Sequence, residues 1–219
     1  MKNTDYWSKV FTVLRKIRAA YDLPSVSKIA REFSNDPYKI LTSTVISLRT
    51  KDKVTLESSY QLFEKAQNFE ELMKLDVDAI REAIYPCAYY RVKAENLKRI
   101  ATIISGQHKG SIPDSAEDLL SLPGVGRKTA NLVLNLAFHK QAVCVDTHVH
   151  RVSNQLGWVD SKTPEKTEYR LMETVPQKYW IELNEELIII GQNFCKPRNP
   201  KCKHCPISSY CDSAAFQDL

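Results

Sequence analysis

Four cysteines near the C-terminus have the spacing of a metal-binding array, Cys195-x6-Cys202-x2-Cys205-x5-Cys211. Thiolates are soft ligands, suited to zinc or to iron–sulfur clusters. Structural zinc usually draws two close pairs, whereas this array has a single C-x-x-C unit; the uneven spacing favours an iron–sulfur cluster and leaves zinc open. Lys196, Arg198, Lys201 and Lys203 lie between the first and third cysteines, with no acidic residue among them. They can balance the charge of about −2 on an oxidised [4Fe–4S] centre, and they can also meet phosphate; the two uses are compatible. Cys87 and Cys144 lie outside the array and read as buried apolar fillers.

A second candidate centre is the run Leu122-Pro123-Gly124-Val125-Gly126-Arg127-Lys128-Thr129-Ala130. Pro123 ends one helical pattern, and the two glycines permit a tight reversal or a close backbone approach to a ligand. The next helix, Lys128 to Phe138, opens at once, so its first-turn amides face the turn, where an anion would be held. Arg127 and Lys128 lie in that first turn although the helix dipole disfavours cations there by roughly 0.3–1 kcal/mol each. A phosphate seated on Gly124, Val125, Gly126 and Arg127 would reverse the local field; the alternative is a plain helix–turn–helix corner with two solvated cations. In Val145-Asp146-Thr147-His148 an apolar run turns into a helix. Asp146 is an N-cap on the plain reading and a carboxylate working with Lys128 on the functional one. His148 and His150 receive no role.

The elements that must position these groups are helical. Apolar residues recur at three- and four-residue spacing in Trp7–Val10–Phe11–Leu14–Ile17, Ile40–Leu41–Val45–Leu48 and Leu97–Ile100–Ile104. Asp36-Pro37 reads as a helix start and Val175-Pro176 as another, with breaks at Gly106 to Pro113 and Ser161 to Pro164. Only Ala142 to Val145 resembles a strand, and it reads as a short buried connector. The fold class is all-α. The 219 residues suffice for one large domain or two small lobes. The net charge of +5 is compatible with a polyanionic partner. No apolar run is long enough to span a bilayer, so no membrane role is expected. The N-terminus lacks an export signal, which points to the cytoplasm and to reduced thiols rather than disulfides.

The motifs LPGVGRKTANLVLNLAF at 122 to 138, VDTH at 145 to 148 and the cysteine array, in that order, together with KAEN at 93 to 96, resemble the endonuclease III family of helix-hairpin-helix DNA glycosylases. The resemblance covers most of the chain. It implies a [4Fe–4S] cluster on Cys195, Cys202, Cys205 and Cys211, with Lys128 as nucleophile and Asp146 as catalytic aspartate. It also implies a six-helix barrel lobe over residues 30–140, with the hairpin at about 117–138, and an iron–sulfur lobe from 1–29 and 141–219, with DNA bound across the cleft. The implied activity is base-excision repair: removal of damaged, oxidised pyrimidines from double-stranded DNA through a lysine Schiff base, then β-elimination at the abasic site. Family members often have a glutamine where this chain has Arg49 and a leucine wedge where it has Tyr89. Both residues are candidate DNA contacts able to stack and hydrogen-bond, and both leave lesion and opposite-base preference open. The expected state is a monomer, associated with the nucleoid if the source is prokaryotic. A sister glycosylase with another target, a silent damage binder and a redox protein are the alternatives. Retention of both Lys128 and Asp146 speaks against the silent binder.

Overall fold

The computed structural model describes residues 2–214, and all regular structure among them is helical. The chain divides into two compact units, one spanning Ser25–Lys140 and the other formed by the chain ends, through Pro24 and from Gln141 onward.

The unit Ser25–Lys140 holds α2 (Ser25–Glu32), α3 (Pro37–Ser47), α4 (Asp52–Lys65), α5 (Phe69–Lys74), α6 (Val77–Ile84), α7 (Tyr90–Gln107), α8 (Ala116–Ser121) and α9 (Arg127–Phe138). Asp36 caps α3 by accepting from the amides of Tyr38 and Lys39, with Pro37 as first helical residue. Asn68, Asp76 and Ser115 cap α5, α6 and α8 in the same way. Helix α3 is the hub. Residues 38 to 46 are all buried, and the helix packs against α2, α4, α7 and α9. That is the pattern of a helix surrounded on every side, which is why its apolar periodicity is weak. Leu97, Ile100 and Ile104 of α7 are fully buried. Two lysines of α7 close the ends of other helices. Lys93 donates to the carbonyls of Ile46 and Leu48 at the end of α3, and Lys98 to those of Met73 and Leu75 at the end of α5, where the helix dipole favours a cation.

The second unit holds α1 (Thr4–Ala20), α10 (Thr147–Gln155), α11 (Pro164–Thr174) and α12 (Trp180–Asn193). Its core is strongly aromatic: Phe11 stacks on Tyr179 with centroids 4.0 Å apart, and Trp7 meets Trp158 edge-on at 4.9 Å. The run Ala142 to Val145 forms no strand; Val143, Cys144 and Val145 are buried in a connector. Val175-Pro176 does not open a helix directly. Val175 closes α11, and a short 3-10 turn at Gln177–Tyr179 precedes α12. The turn buries the Tyr179 ring that Phe11 stacks on. Likewise α7 runs through Gly106 to Gln107, and α9 begins one residue earlier than expected, at Arg127. No helix among the described residues is long and apolar enough to cross a membrane.

A charged seam joins α1 to α12. Arg15 pairs with Glu182 at 2.6 Å, and Arg18 approaches Glu182, Glu185 and Glu186 at 3.6–3.8 Å. The Glu186 side chain is fully buried, with no hydrogen-bond partner on either carboxyl oxygen. Burial first, then the neighbouring Glu182, pushes its carboxyl up to about 8, although Arg18 and Arg15 act in the opposite direction. The folded chain therefore holds one more proton than the unfolded chain between pH 4.5, the ordinary value, and about 8. This contribution to stability is complete at low pH and falls as pH rises through that window. Glu186→Gln is expected to gain on the parent chain by about 2–4 kcal/mol between about pH 5 and about pH 9, measured by denaturant unfolding at both. A difference between the two chains that does not change with pH would refute this.

Candidate functional site

The hairpin between α8 and α9 is built as its sequence demands. Leu122 closes α8, and the Val125 amide donates to the Leu122 carbonyl at 3.1 Å. Gly124 has φ 76°, in the left-handed region, and a Cβ there would lie 2.5 Å from the Asn96 side-chain nitrogen. Both facts require glycine. Val125 turns its side chain into the core, 6% exposed, and anchors the loop. Helix α9 then starts at Arg127 with Gly126 as N-cap, so the cap residue has no side chain to offer its first amides, and its first turn has no acidic residue. Most other helix starts in this chain carry an Asn, Asp, Ser or Thr cap. An uncapped helix start flanked by cations is a seat for an anion. Lys128 is the second residue of this helix and is half-buried, with Thr129 and Ala130 buried behind it.

In the same unit the structure brings Arg49 and Tyr89 together. Both backbones are left-handed, φ 55° and 58°, a conformation that costs a bulky residue energy. The Arg49 guanidinium reaches the Tyr89 hydroxyl at 3.4 Å and lies 5.7 Å from the ring centre, while Tyr89 stays 62% exposed. Beneath them Lys93 is 5% exposed. Its ammonium donates to Ile46 O at 2.6 Å, Leu48 O at 2.7 Å and the Thr50 hydroxyl at 2.9 Å. The Thr50 hydroxyl in turn accepts from the Ala88 amide at 3.2 Å. Burial lowers the Lys93 ammonium from its ordinary value, and acceptors around the charged form act against that shift. Sequence reasoning gave Lys93, Thr50 and Asn96 no role. The available signal was position: Lys93 is four residues before Leu97 and seven before Ile100, which places a lysine on the apolar face of α7.

In the other unit, Asp146 is the N-cap of α10, accepting from the Val149 amide at 2.8 Å, and it is half-buried. Asn184 holds the preceding connector through a 3.1 Å bond to Cys144 O. Farther along α10, Arg151 donates to Cys195 O at 3.0 Å and Gly191 O at 3.1 Å, and lies 3.2 Å from His148. His150 bonds Thr167 at 2.6 Å. One helix thus carries Asp146 at its start and, through Arg151, the backbone of the first cysteine.

The four cysteines of the array line one apolar cavity with Val152, Leu156, Ile190, Phe194 and Ile207. Ile207 is fully buried between the third and fourth cysteines and pins the loop to the core. The N-terminal helix holds it from outside: the Tyr6 hydroxyl donates to Tyr210 O at 2.9 Å, and Lys2 pairs with Asp212 at 2.7 Å. Burial pushes the Cys195 thiol up, and the Cys205 thiol up to about 11, so thiolate at these positions depends on a cation to stabilise it. Among the described residues no three His, Cys, Asp or Glu side chains converge on a single ion position. A cubane asks instead for four thiolates spread around a bulky core, one for each iron. The residues present fit a [4Fe–4S] cluster. Lys196, Arg198, Lys201 and Lys203 are exposed on this loop, and Cys87 and Cys144 are buried, 1% and 0% exposed.

The family model of the HhH-GPD superfamily base excision DNA repair proteins matches residues 42–177, and that of the iron–sulfur binding domain of endonuclease III matches residues 195–211. Endonuclease III of Thermotoga maritima is 45% identical over 81% of this chain and 83% of its own. The chloroplastic endonuclease III homolog 1 of Arabidopsis thaliana is 36% identical over 97% of this chain, which spans 60% of that longer protein. A solved structure of a trapped endonuclease III–DNA covalent intermediate superposes with a TM-score of 0.78 at 28% identity, covering 94% of this chain and 99% of the other. The chain belongs to the endonuclease III family of the HhH-GPD superfamily, a family of DNA glycosylases with abasic-site lyase activity that carry a [4Fe–4S] cluster.

A Cβ at Gly191 would come within 2.6 Å of His148 and 3.0 Å of Arg151. Gly191→Ala is therefore expected to displace Arg151 from Cys195 O, lowering stability by about 1–3 kcal/mol and reducing iron bound per chain. Unfolding curves and iron analysis check this. Undiminished iron with unchanged stability would show that α12 yields without cost.

Proposed function

We propose that this chain binds double-stranded DNA and excises damaged pyrimidines, oxidised ones first, with Lys128 as nucleophile and Asp146 as its carboxylate partner. The observation that carries the reading is the place of Lys128. It stands in the first turn of an uncapped helix, immediately behind a glycine-built hairpin. A backbone phosphate seated on the amides at Gly126 and Arg127 would fix the distance from the DNA strand to the amine through a rigid helix. Grip and nucleophile would belong to one element.

On this reading the Lys128 amine attacks C1′ of an extruded nucleotide. A C1′–N bond forms as the glycosidic bond breaks, and the base leaves with the bonding electrons and takes up a proton. Opening of the sugar gives a Schiff base; loss of a C2′ proton then breaks the C3′–O bond and nicks the strand. Asp146 stabilises the positive charge developing on the sugar and orients the amine. Arg49 and Tyr89 occupy the gap left by extrusion, which costs a few kcal/mol and less at a damaged base. Cys195, Cys202, Cys205 and Cys211 hold the cluster, whose iron–thiolate bonds, when formed, fix the loop presenting Lys196, Arg198, Lys201 and Lys203 to phosphate. The active state is a monomer.

Borohydride trapping on a duplex with one abasic site tests the nucleophile. The parent chain is expected to form a covalent adduct that vanishes in Lys128→Ala and forms at least about a hundredfold more slowly in Asp146→Asn. An adduct of equal yield in Lys128→Ala would mean that another amine reacts. A screen of duplexes with single defined lesions ranks the substrates, and a preference for damaged purines would reject the pyrimidine reading.

A further inference from the structure

The Arg49–Tyr89 pair rests on a foundation that lies outside the reacting groups. Arg49 follows the end of α3, and Tyr89 precedes the start of α7. Each has a left-handed backbone without being glycine, a conformation that persists only where the surroundings over-determine it. The surroundings common to both are one buried ammonium. A lysine ammonium has three donors, and Lys93 uses three: Ile46 O and Leu48 O at the end of α3, and the Thr50 hydroxyl just past Arg49. Thr50 then passes the restraint on by accepting from the Ala88 amide, one residue before Tyr89. Two carbonyls at a helix end and the Thr50 hydroxyl thus converge on Nζ of one residue, and the second loop is tied to it through Thr50.

We infer that Lys93, acting through Thr50, is a positioning residue for damage recognition: it locks the 48–50 and 86–89 loops so that Arg49 and Tyr89 are held ready to fill the gap left by an extruded nucleotide. The inference rests on the DNA role proposed for that pair. Lys93 lies beneath the loops, nearly excluded from solvent, and acts on the DNA only through them. Pre-ordering raises affinity because less is left to be ordered on binding. Its loss should fall on DNA that has a gap to fill and spare contacts made by the hairpin to an intact backbone.

The test uses the full, cluster-loaded chain. Binding is measured to a duplex with one tetrahydrofuran abasic analogue, which the protein cannot cleave, and to the same duplex undamaged. Lys93→Met is expected to bind the analogue duplex about tenfold more weakly and the undamaged duplex within about twofold of the parent. Trapping at saturating abasic DNA should slow by less than about threefold. Arg49→Ala should lose about tenfold on the analogue duplex, and Lys93→Met with Arg49→Ala should lose less than the product of the two single losses, since Lys93 acts in part through Arg49 and in part through Tyr89. Thr50→Val should weaken binding and Thr50→Ser restore it, a pair that carries the test if Lys93→Met fails to fold. The inference is overturned by analogue binding unchanged in Lys93→Met, by equal losses on both duplexes, by additive losses in the double variant, by Arg49→Ala binding as the parent does, or by Thr50→Val and Thr50→Ser behaving alike. Absence of a trapped adduct in the parent would count against Lys128 and leave these binding outcomes to decide the role of Lys93.

Discussion

An α-helix leaves four amides at its start and four carbonyls at its end without partners of its own. In a protein built from helices, every unmet group must be supplied by a side chain, by solvent or by a ligand. The chain meets most of this demand locally, with Asn3, Asp36, Asn68, Asp76, Ser115 and Thr163 capping helix starts. The candidate chemistry gathers where the local solution is absent or different. Helix α9 starts uncapped behind Gly126, and there Arg127 and Lys128 stand against the helix dipole. Helix α3 ends on carbonyls taken up by a lysine from another helix. Helix α10 starts on Asp146, an ordinary cap by geometry and the carboxylate proposed to work with Lys128.

Each unit couples such an end to a rigid interior. The hairpin stays in place because Val125 is buried and Asn96 fills the space that a side chain at position 124 would need. In the other unit, Arg151 joins α10 to the carbonyl of Cys195, and Gly191 lets α12 approach closely enough for that bond to form. The cysteine loop has little regular structure of its own, only short 3-10 turns at Cys202–His204 and Ser208–Tyr210. Its shape comes from Ile207 in the core and from Tyr6 and Lys2 of the N-terminal segment, and its four thiols would hold the cluster. Chain ends far apart in sequence are thereby tied to one cofactor site.

The interiors of the two units also carry groups to which the proposed chemistry gives no part. The aromatic stack of Trp7, Phe11, Trp158 and Tyr179 builds the core of the second unit, and the charged seam between α1 and α12 lies beside it. Glu186 shows what that seam costs: a carboxyl buried without hydrogen bonds prefers to remain protonated. Lys39 is a milder case, a buried cation that meets Gln67 and lies over the rings of Phe33, Tyr38 and Phe63.

The sequence alone determined the helical class, the hairpin, the cap at Asp36-Pro37 and the cysteine array, because each depends on residues within a few positions of one another: apolar period, glycine and proline chemistry, ligand spacing. The family and its cofactor were legible for the same reason, since the motifs that carry them are local. Tertiary structure alone decided which groups from distant segments meet. It placed Arg49 against Tyr89, set Lys93 under both, and aimed Arg151 at the Cys195 carbonyl. It also moved the start expected at Val175-Pro176 to Trp180, where burying Tyr179 against Phe11 outweighed the local preference of proline for a first helical turn. Burial and hydrogen bonding across tens of residues have no short-range signature, so a lysine on an apolar helix face is the most that the sequence can offer of a contact that only packing completes.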